Sequence, residues 1–272
     1  MKEVLEISEK HEVRPTELLT VVRKTLLNES EVEYADYAIN HVEGCSHGCK
    51  FPCYAFVGSK KNGRVKTYEE WCRPKIVSNA LELLDREIPK KKKKIDFVHL
   101  CFMTDPFMYQ HPEVSDLTLQ IIQKLNASGI RCTTLTKGII PAELADLDRY
   151  SDANEYGITL VSLSEEFRKV YEPGAAKFEE RIAALKELHR NGCKTWVSVE
   201  PFPTPNIFDQ DLLEILDAVG FVDKIVFGRL NYNTLASKFK GVREYYNSLA
   251  LAVINFCQQN GIACHIKEGT QT

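Results

Sequence analysis

Three of the chain's nine cysteines fall in one short run, Gly44-Cys45-Ser46-His47-Gly48-Cys49-Lys50-Phe51-Pro52-Cys53-Tyr54-Ala55. Three thiolates on one loop can ligate three irons of a [4Fe–4S] cluster and leave the fourth iron open to a chelating molecule. A cluster so arranged acts on what it binds instead of only passing electrons. The alternative metal is zinc, with His47 or a distant cysteine as fourth ligand, although zinc sites favour paired C-x2-C knuckles and none is present. Even spacing beside Gly44 and Gly48 argues against three unrelated core cysteines.

Such a loop needs elements to hold it. Residues 1–30 carry helical patterning, with Leu18, Leu19, Val22, Leu26 and Leu27 on one side and Pro15 at the start, which predicts a helical cap over residues 1–34 ahead of a main domain at 35–272. From residue 37 short β-like runs alternate with helical ones. Strands are predicted at 37–42, 95–102, 130–136, 156–162, 194–200, 224–230 and 262–266. Helices are predicted around 68–86, 114–125, 141–147, 164–170, 177–190, 209–218 and 242–259. In the 177–190 helix Phe178, Ile182, Leu185 and Leu188 share a face, and Asn191-Gly192 ends it. Near-continuous apolar strands between helices predict an α/β fold with a parallel sheet, either open and doubly wound or a barrel. No Gly-x-Gly-x-x-Gly follows the first strand, which argues against a dinucleotide fold.

Parallel α/β folds carry their chemistry at the C-terminal ends of strands. In strand order those ends hold the cysteine loop, Thr104-Asp105-Pro106, Thr136-Lys137-Gly138, Ser162 with Ser164, Glu200-Pro201, and Arg229 with Asn231. All six would converge on one mouth.

At 272 residues, 44% hydrophobic and 27% charged, the chain is neither disordered nor collagenous nor a disulfide miniprotein. Its net charge of −3 means that any nucleic-acid role must rest on a local patch. The N-terminus lacks an apolar h-region, and no stretch approaches the ~20 apolar residues of a membrane span. The expectation is a cytoplasmic protein, where clustered cysteines serve metal or redox chemistry and not disulfides.

On the loop GCSHGCKFPCYA, on TDPF at 104–107 with Glu113 beyond it, on LTKG at 135–138 and on SLSEEFRKVYEPGAAKFEERIAALKELHRNGCKTWVSVEPFPTP at 162–205, the chain resembles the radical S-adenosylmethionine (SAM) enzymes. The resemblance is to the branch containing spore photoproduct lyase and the proteins called DNA repair photolyases. It covers roughly residues 37–205. It implies a partial (β/α)6 TIM-like barrel with an N-terminal helical extension, and a [4Fe–4S] cluster on Cys45, Cys49 and Cys53 with SAM on the open iron. The reaction implied is reductive cleavage of SAM to a 5′-deoxyadenosyl radical that abstracts hydrogen, with a reductant such as flavodoxin or ferredoxin. By the same resemblance Thr104 and Asp105 hold the SAM amino group, Lys137 its carboxylate, and Ser162 its ribose or carboxylate. Phe51 or Tyr54 would flank the adenine, and Glu200 would orient ribose or substrate. A nucleic-acid substrate follows by analogy only.

The cysteine spacing departs from the family's C-x3-C-x2-C. Here it is C-x3-C-x3-C, with Pro52 where the aromatic normally stands and Phe51 displaced by one. The branch's hydrogen-donor cysteine corresponds to Phe102, and Cys101 lies one residue earlier. Strand alternation then points Cys101 away from the donor's position and makes it a core residue. Cys72, Cys132, Cys193, Cys257 and Cys264 also read as core. Glu172 and Arg181 are either an ion pair or active-site groups, and Arg229, Asn231, Tyr232 and Lys267 are candidate substrate contacts. The Lys90–Lys94 run reads as a solvated loop. Lys50, Lys60, Lys61, Arg64, Lys66, Arg73 and Lys75 flank the cysteine loop and suit a polyanionic substrate better. The competing function is a non-catalytic iron–sulfur or zinc module binding nucleic acid or a protein partner.

Overall fold

Strands separated by helix-length connections cannot close hairpins, so they pair in parallel through crossovers. The computed structural model describes residues 19–271 apart from 31, 32, 34 and 52. Its strands are β1 (Leu19–Val21), β2 (Leu27–Glu29), β3 (Tyr37–Ile39), β4 (Val42–Glu43), β5 (Lys75–Val77), β6 (Phe97–Leu100), β7 (Arg131–Thr136), β8 (Glu155–Thr159), β9 (Lys194–Phe202), β10 (Lys224–Arg229) and β11 (Ala263–Ile266). The helices are α1 (Tyr54–Lys61), α2 (Tyr68–Trp71), α3 (Ala80–Lys91), α4 (Pro112–Asn126), α5 (Glu165–Tyr171), α6 (Phe178–Arg190), α7 (Leu212–Ala218), α8 (Thr234–Ser237) and α9 (Val242–Asn260).

Among the described residues eight strands form the main sheet, in the order β11-β10-β9-β8-β7-β6-β3-β2. Every pairing from β3 to β11 is parallel, and β2 adds antiparallel at the edge. The sheet is an open, partial TIM-like barrel. Its edges are joined by side chains: Glu33, in the turn after β2, pairs with His265 of β11 at 2.5 Å and Lys267 at 3.1 Å. A small second sheet, β1-β5-β4, lies beside the first strand's exit.

The core is the helix-covered sheet. Leu83 and Leu84 of α3, Ile121 and Leu125 of α4, and Leu185 and Leu188 of α6 pack with Val98, Ile158, Val197 and Ile225 of the strands. The α6 stripe also includes Arg181, which is 2% exposed and stands three residues after Phe178.

Three expectations change. Residues 19–21 and 27–29 are strands, not part of a helix, and β2 belongs to the main sheet, so these residues are not a separate cap over 1–34. Leu18, Val22 and Leu26 at four-residue spacing suit a helix face, but Leu27–Glu29 pair with Tyr37–Ile39 in the main sheet instead. The patterning expected of residues 1–18 lies outside the described residues. The helix expected over 68–86 is cut by β5, because Pro74 ends α2 and the β-branched Ile76-Val77 continues extended. The helix expected at 141–147 is a single 3-10 turn, Ala142–Ala145, since Asp146 and Asp148 favour turns over helix interior.

Because Leu27 is fully buried in the main core, Leu27→Ala should cost about 2–5 kcal/mol, seen as a lower urea midpoint at unchanged slope. A detachable cap would leave the midpoint of the main transition where it was.

Candidate functional site

The cysteine loop leaves β4 and enters α1. Cys45, Cys49 and Cys53 line one cavity of about 380 Å³ at the C-terminal mouth of the strands. Burial pushes all three thiols up, and each raises the others or is raised by them. Lys137 opposes this at Cys49 and Cys53. Thiols held protonated by desolvation, facing one polar-rimmed space, are suited to release their protons to iron. Among the described residues no three His, Cys, Asp or Glu side chains close on one point as a single ion would need. The donor set, three soft sulfurs around a common cavity, fits a cluster.

The loop has little secondary structure of its own, so other segments fix it. Cys45 N–H donates to Trp71 O at 2.9 Å, and Lys50 N–H to Tyr171 O at 2.8 Å. Gly174 N–H donates to His47 O at 2.9 Å, with Gly174 so close that a Cβ there would stand 2.3 Å from Ser46 O. His47 is 1% exposed. Burial lowers its pKa against the pull of Asp105 and keeps the ring neutral. Its Nε2 accepts from Tyr109 N–H at 3.0 Å, which leaves the proton on Nδ1, facing Asp105 Oδ2 at 3.4 Å.

Asp105 is the node. Its Oδ1 accepts from Thr136 Oγ1 at 2.6 Å and Phe107 N–H at 3.0 Å, and its Oδ2 accepts from Lys137 N–H at 2.8 Å as well as facing His47. These contacts tie the cysteine loop to β7, and Asp105 also lines the cavity beside Thr104. Thr104 lines the cavity, and its hydroxyl donates to Val42 O at 3.2 Å, leaving oxygen lone pairs to accept.

Behind Lys137 stands a buried charge row. Lys137 Nζ meets Glu172 Oε1 at 2.8 Å, and Arg181 Nη2 meets Glu172 Oε2 at 3.0 Å. Burial would raise the Glu172 carboxyl, but Lys137 and Arg181 outweigh it and hold it down at about 2. Glu172 and Arg181 are thus an ion pair, as one of the two sequence readings had it. Two cations on one anion leave a positive surplus, and the Lys137 end of the row lines the cavity.

Phe51 and Tyr54 also line it. Phe51 is stacked on Tyr171 at 5.3 Å between centroids, while Tyr54 is half exposed and its hydroxyl donates to Phe102 O. Glu200 faces the same space. Burial raises its carboxyl, with Lys267 pulling the other way. Arg229, Asn231, Tyr232 and Lys267 complete the rim. Ser162 does not reach the cavity, which is a correction: its hydroxyl accepts from Ser164 N–H at 3.1 Å and turns the chain into α5. Thr159 and Ser198 line the cavity from β8 and β9 instead. Sequence reasoning missed both because strand 156–162 was expected to run past Thr159, where β8 ends, and Ser198 lies inside β9. Cys101 is a core residue as read, 2% exposed and packed with Val42, Met108 and Val114, with Sγ 3.5 Å from His41 Nδ1; it also borders the cavity, its φ of 57° falling just after β6 ends. Cys132, Cys193 and Cys257 are buried as expected, whereas Cys264 is exposed on edge strand β11. Pro52 lies outside the described residues.

A family model described as the Radical SAM superfamily matches residues 39–219, about two thirds of the chain. Uncharacterized protein ORF301 of Acidianus two-tailed virus is 24% identical over 220 residues, covering 73% of this chain and 70% of that protein. Uncharacterized protein MJ0683 of Methanocaldococcus jannaschii is 25% identical over 197 residues, covering 72% and 71%. Among solved structures, a double mutant of spore photoproduct lyase with bound AdoMet and dinucleoside spore photoproduct matches with TM-score 0.68 at 16% identity, over 90% of this chain and 80% of that one. A single mutant of the same lyase matches with TM-score 0.66 at 14% identity, over the same shares.

If the loop depends on the Asp105 node and the Gly174 contact, each should fail separately from the fold. Asp105→Asn puts a donor where two donors already point, at a cost on the order of 2 kcal/mol, and Gly174→Ala forces backbone against backbone. Both should bind well under half the wild-type iron and sulfide after anaerobic reconstitution, at wild-type far-ultraviolet circular dichroism. Wild-type iron content in both would overturn the assignment.

Proposed function

The chain belongs to the radical SAM superfamily, whose members bind a [4Fe–4S] cluster and SAM, and from that premise we propose that Cys45, Cys49 and Cys53 hold the cluster in this enzyme. The observation that carries the reading is the shared cavity of three half-buried thiols with the positive end of the Lys137–Glu172–Arg181 row. Cluster and SAM together supply one-electron cleavage of SAM to methionine and a 5′-deoxyadenosyl radical.

This chain's own residues then have positioning tasks. Lys137 meets the SAM carboxylate with the surplus charge of its row. Thr104, through its hydroxyl lone pairs, and Asp105, through its carboxylate, face the amino group from the same wall. Glu200 orients ribose hydroxyls, its carboxyl oxygens accepting from them. Phe51 and Tyr54 offer ring faces to the adenine, and with Phe102, Leu135 and Leu230 they exclude water from the reacting carbon. Arg229, Asn231, Tyr232 and Lys267 face the substrate side. The domain read as 35–272 carries all of these groups.

Nucleic acid is the proposed substrate class. Its support is the dinucleoside spore photoproduct bound in the structurally similar lyase, together with the basic groups that follow the cysteine loop. The electron would come from a flavodoxin or ferredoxin. No described helix is long and apolar enough to cross a membrane.

Anaerobically reconstituted protein should contain about four irons and four sulfides per chain. Under dithionite it should release methionine and 5′-deoxyadenosine from SAM. Any of Cys45→Ala, Cys49→Ala or Cys53→Ala should abolish both the chromophore and the cleavage. Lys137→Gln should retain iron and raise the SAM KM about tenfold, a loss of ~1.4 kcal/mol. A fully loaded cluster that leaves SAM intact would refute the reading.

A further inference from the structure

A second cavity, of about 230 Å³, adjoins the first and shares Trp71, Met103 and Thr104 with it as a common wall. It lies between the small sheet β1-β5-β4 and the segment joining α1 to α2. Its size is below that of a drug-sized pocket and suits one small charged group. Its character is cationic. Arg23, Arg64, Arg73 and Lys75 line it, against Glu43 and Glu70.

Arg23 and Glu43 cancel: Arg23 Nη2 meets Glu43 Oε1 at 2.6 Å, Nε meets it at 3.1 Å, and Nη1 donates to Asn40 O at 2.9 Å. Glu70 Oε2 accepts from Lys66 N–H at 2.8 Å, at the N-terminal turn of α2. Arg64, Arg73 and Lys75 form no ion pair within 4 Å among the described residues; Arg73 exerts a weaker pull on the exposed Glu69. Three cations therefore surround the space with one carboxylate, and Ser59, 5% exposed, adds a hydroxyl to the lining.

Their placement is built into the fold. Lys75 opens β5 and stands opposite Glu43 of β4, directly before the cysteine loop. The carbonyls of Trp71 and Arg73 press on Gly44, where a Cβ would lie 2.6 Å and 3.1 Å from them, and Trp71 O holds Cys45 N–H. Charge bound by Arg73 and Lys75 would thus rest on the backbone that carries the first cysteine.

We propose that this side cavity is a subsite for a phosphate-class oxyanion, held by Arg64, Arg73 and Lys75. A compact multivalent oxyanion is the ligand that several converging cations and a hydroxyl satisfy together. Two sources share this chemistry, a phosphodiester of a substrate strand and free phosphate or pyrophosphate. The inference deepens the proposed function but does not need it, because the cations and the cavity exist whatever the cluster does.

The test is calorimetric titration of the cluster-loaded full chain, in the presence of SAM, with inorganic phosphate, with pyrophosphate and with a short oligothymidylate. Pyrophosphate should bind, and Arg73→Gln/Lys75→Gln should weaken it at least tenfold. Arg64→Gln, a change at an exposed side chain with no packing role, should weaken it at least threefold. Lys92→Gln/Lys93→Gln, on the far side of the barrel, should leave it unchanged. Displacement of the oligothymidylate by pyrophosphate from wild type identifies a phosphodiester as the source. Pyrophosphate binding without displacement identifies the free anion. Equal affinity in wild type and the double and single arginine variants, or no binding to wild type, overturns the subsite. SAM cleavage in the same preparations separates the two claims: its absence alone sinks the enzymatic reading and leaves the binding result standing.

Discussion

The Asp105 carboxylate facing His47 is the interaction on which the site's architecture depends. A ten-residue loop with two left-handed glycines, Gly44 and Gly48, cannot fix three thiols by itself. One buried carboxylate, satisfied four times over, joins that loop to the end of β7 and to the turn after β6. This explains why motifs scattered along the chain occur together. TDPF supplies the carboxylate, LTKG the hydroxyl and amide it binds, and Gly138 of LTKG leaves room for Phe107 O, which a Cβ would meet at 1.8 Å. The Glu-Pro-Gly block closes the other side, since Tyr171 and Gly174 bind the loop backbone while Glu172 binds Lys137.

The same economy governs the charges. Arg181 occupies a position in α6 that the helical period assigns to the core, and a lone buried guanidinium would be prohibitive there. It donates to Ala176 O, Thr159 O and Glu172, so its charge is both paired and hydrogen-bonded. Glu172 then transmits a fixed negative charge to Lys137, which immobilises a lysine that would otherwise be a mobile strand-end side chain. Across the cavity Glu200 is kept from Lys267's full influence because Glu33 already pairs with that lysine. The clasp between the sheet's edges and the carboxyl at the mouth are therefore one electrostatic system.

What the sequence disclosed followed from periodicity and local spacing. The strand–helix alternation and the α6 stripe were legible because both follow backbone geometry, and the cysteine loop because ligands must be close in space. The tie from Asp105 to the cysteine loop was not, because it depends on groups that come from Phe107, Thr136, Lys137 and His47 at once. Ser162 was misplaced for a related reason: a serine at a strand end can cap the next turn as readily as bind a ligand, and Ser164 N–H decides it. Residues 19–29 were misread because leucine spacing alone cannot tell a short helix from two three-residue strands; pairing with β3 and β5 settles it.

The irregular cysteine spacing also finds a physical place. The first two cysteines stand in the part of the loop tethered by Trp71, His47 with Asp105, and Tyr171 with Gly174. Cys53 belongs to a different element, since it is the N-cap of α1 and its carbonyl accepts from Val57 N–H at 3.0 Å. The added residue falls between these two systems, after Lys50 is pinned to Tyr171 and before α1 begins. Phe51, in that link, packs on Tyr171 and Phe167 at 5% exposure. An insertion one segment earlier would have displaced His47 from Asp105 and undone the node, so the position of the extra residue, more than its presence, is what the fold tolerates.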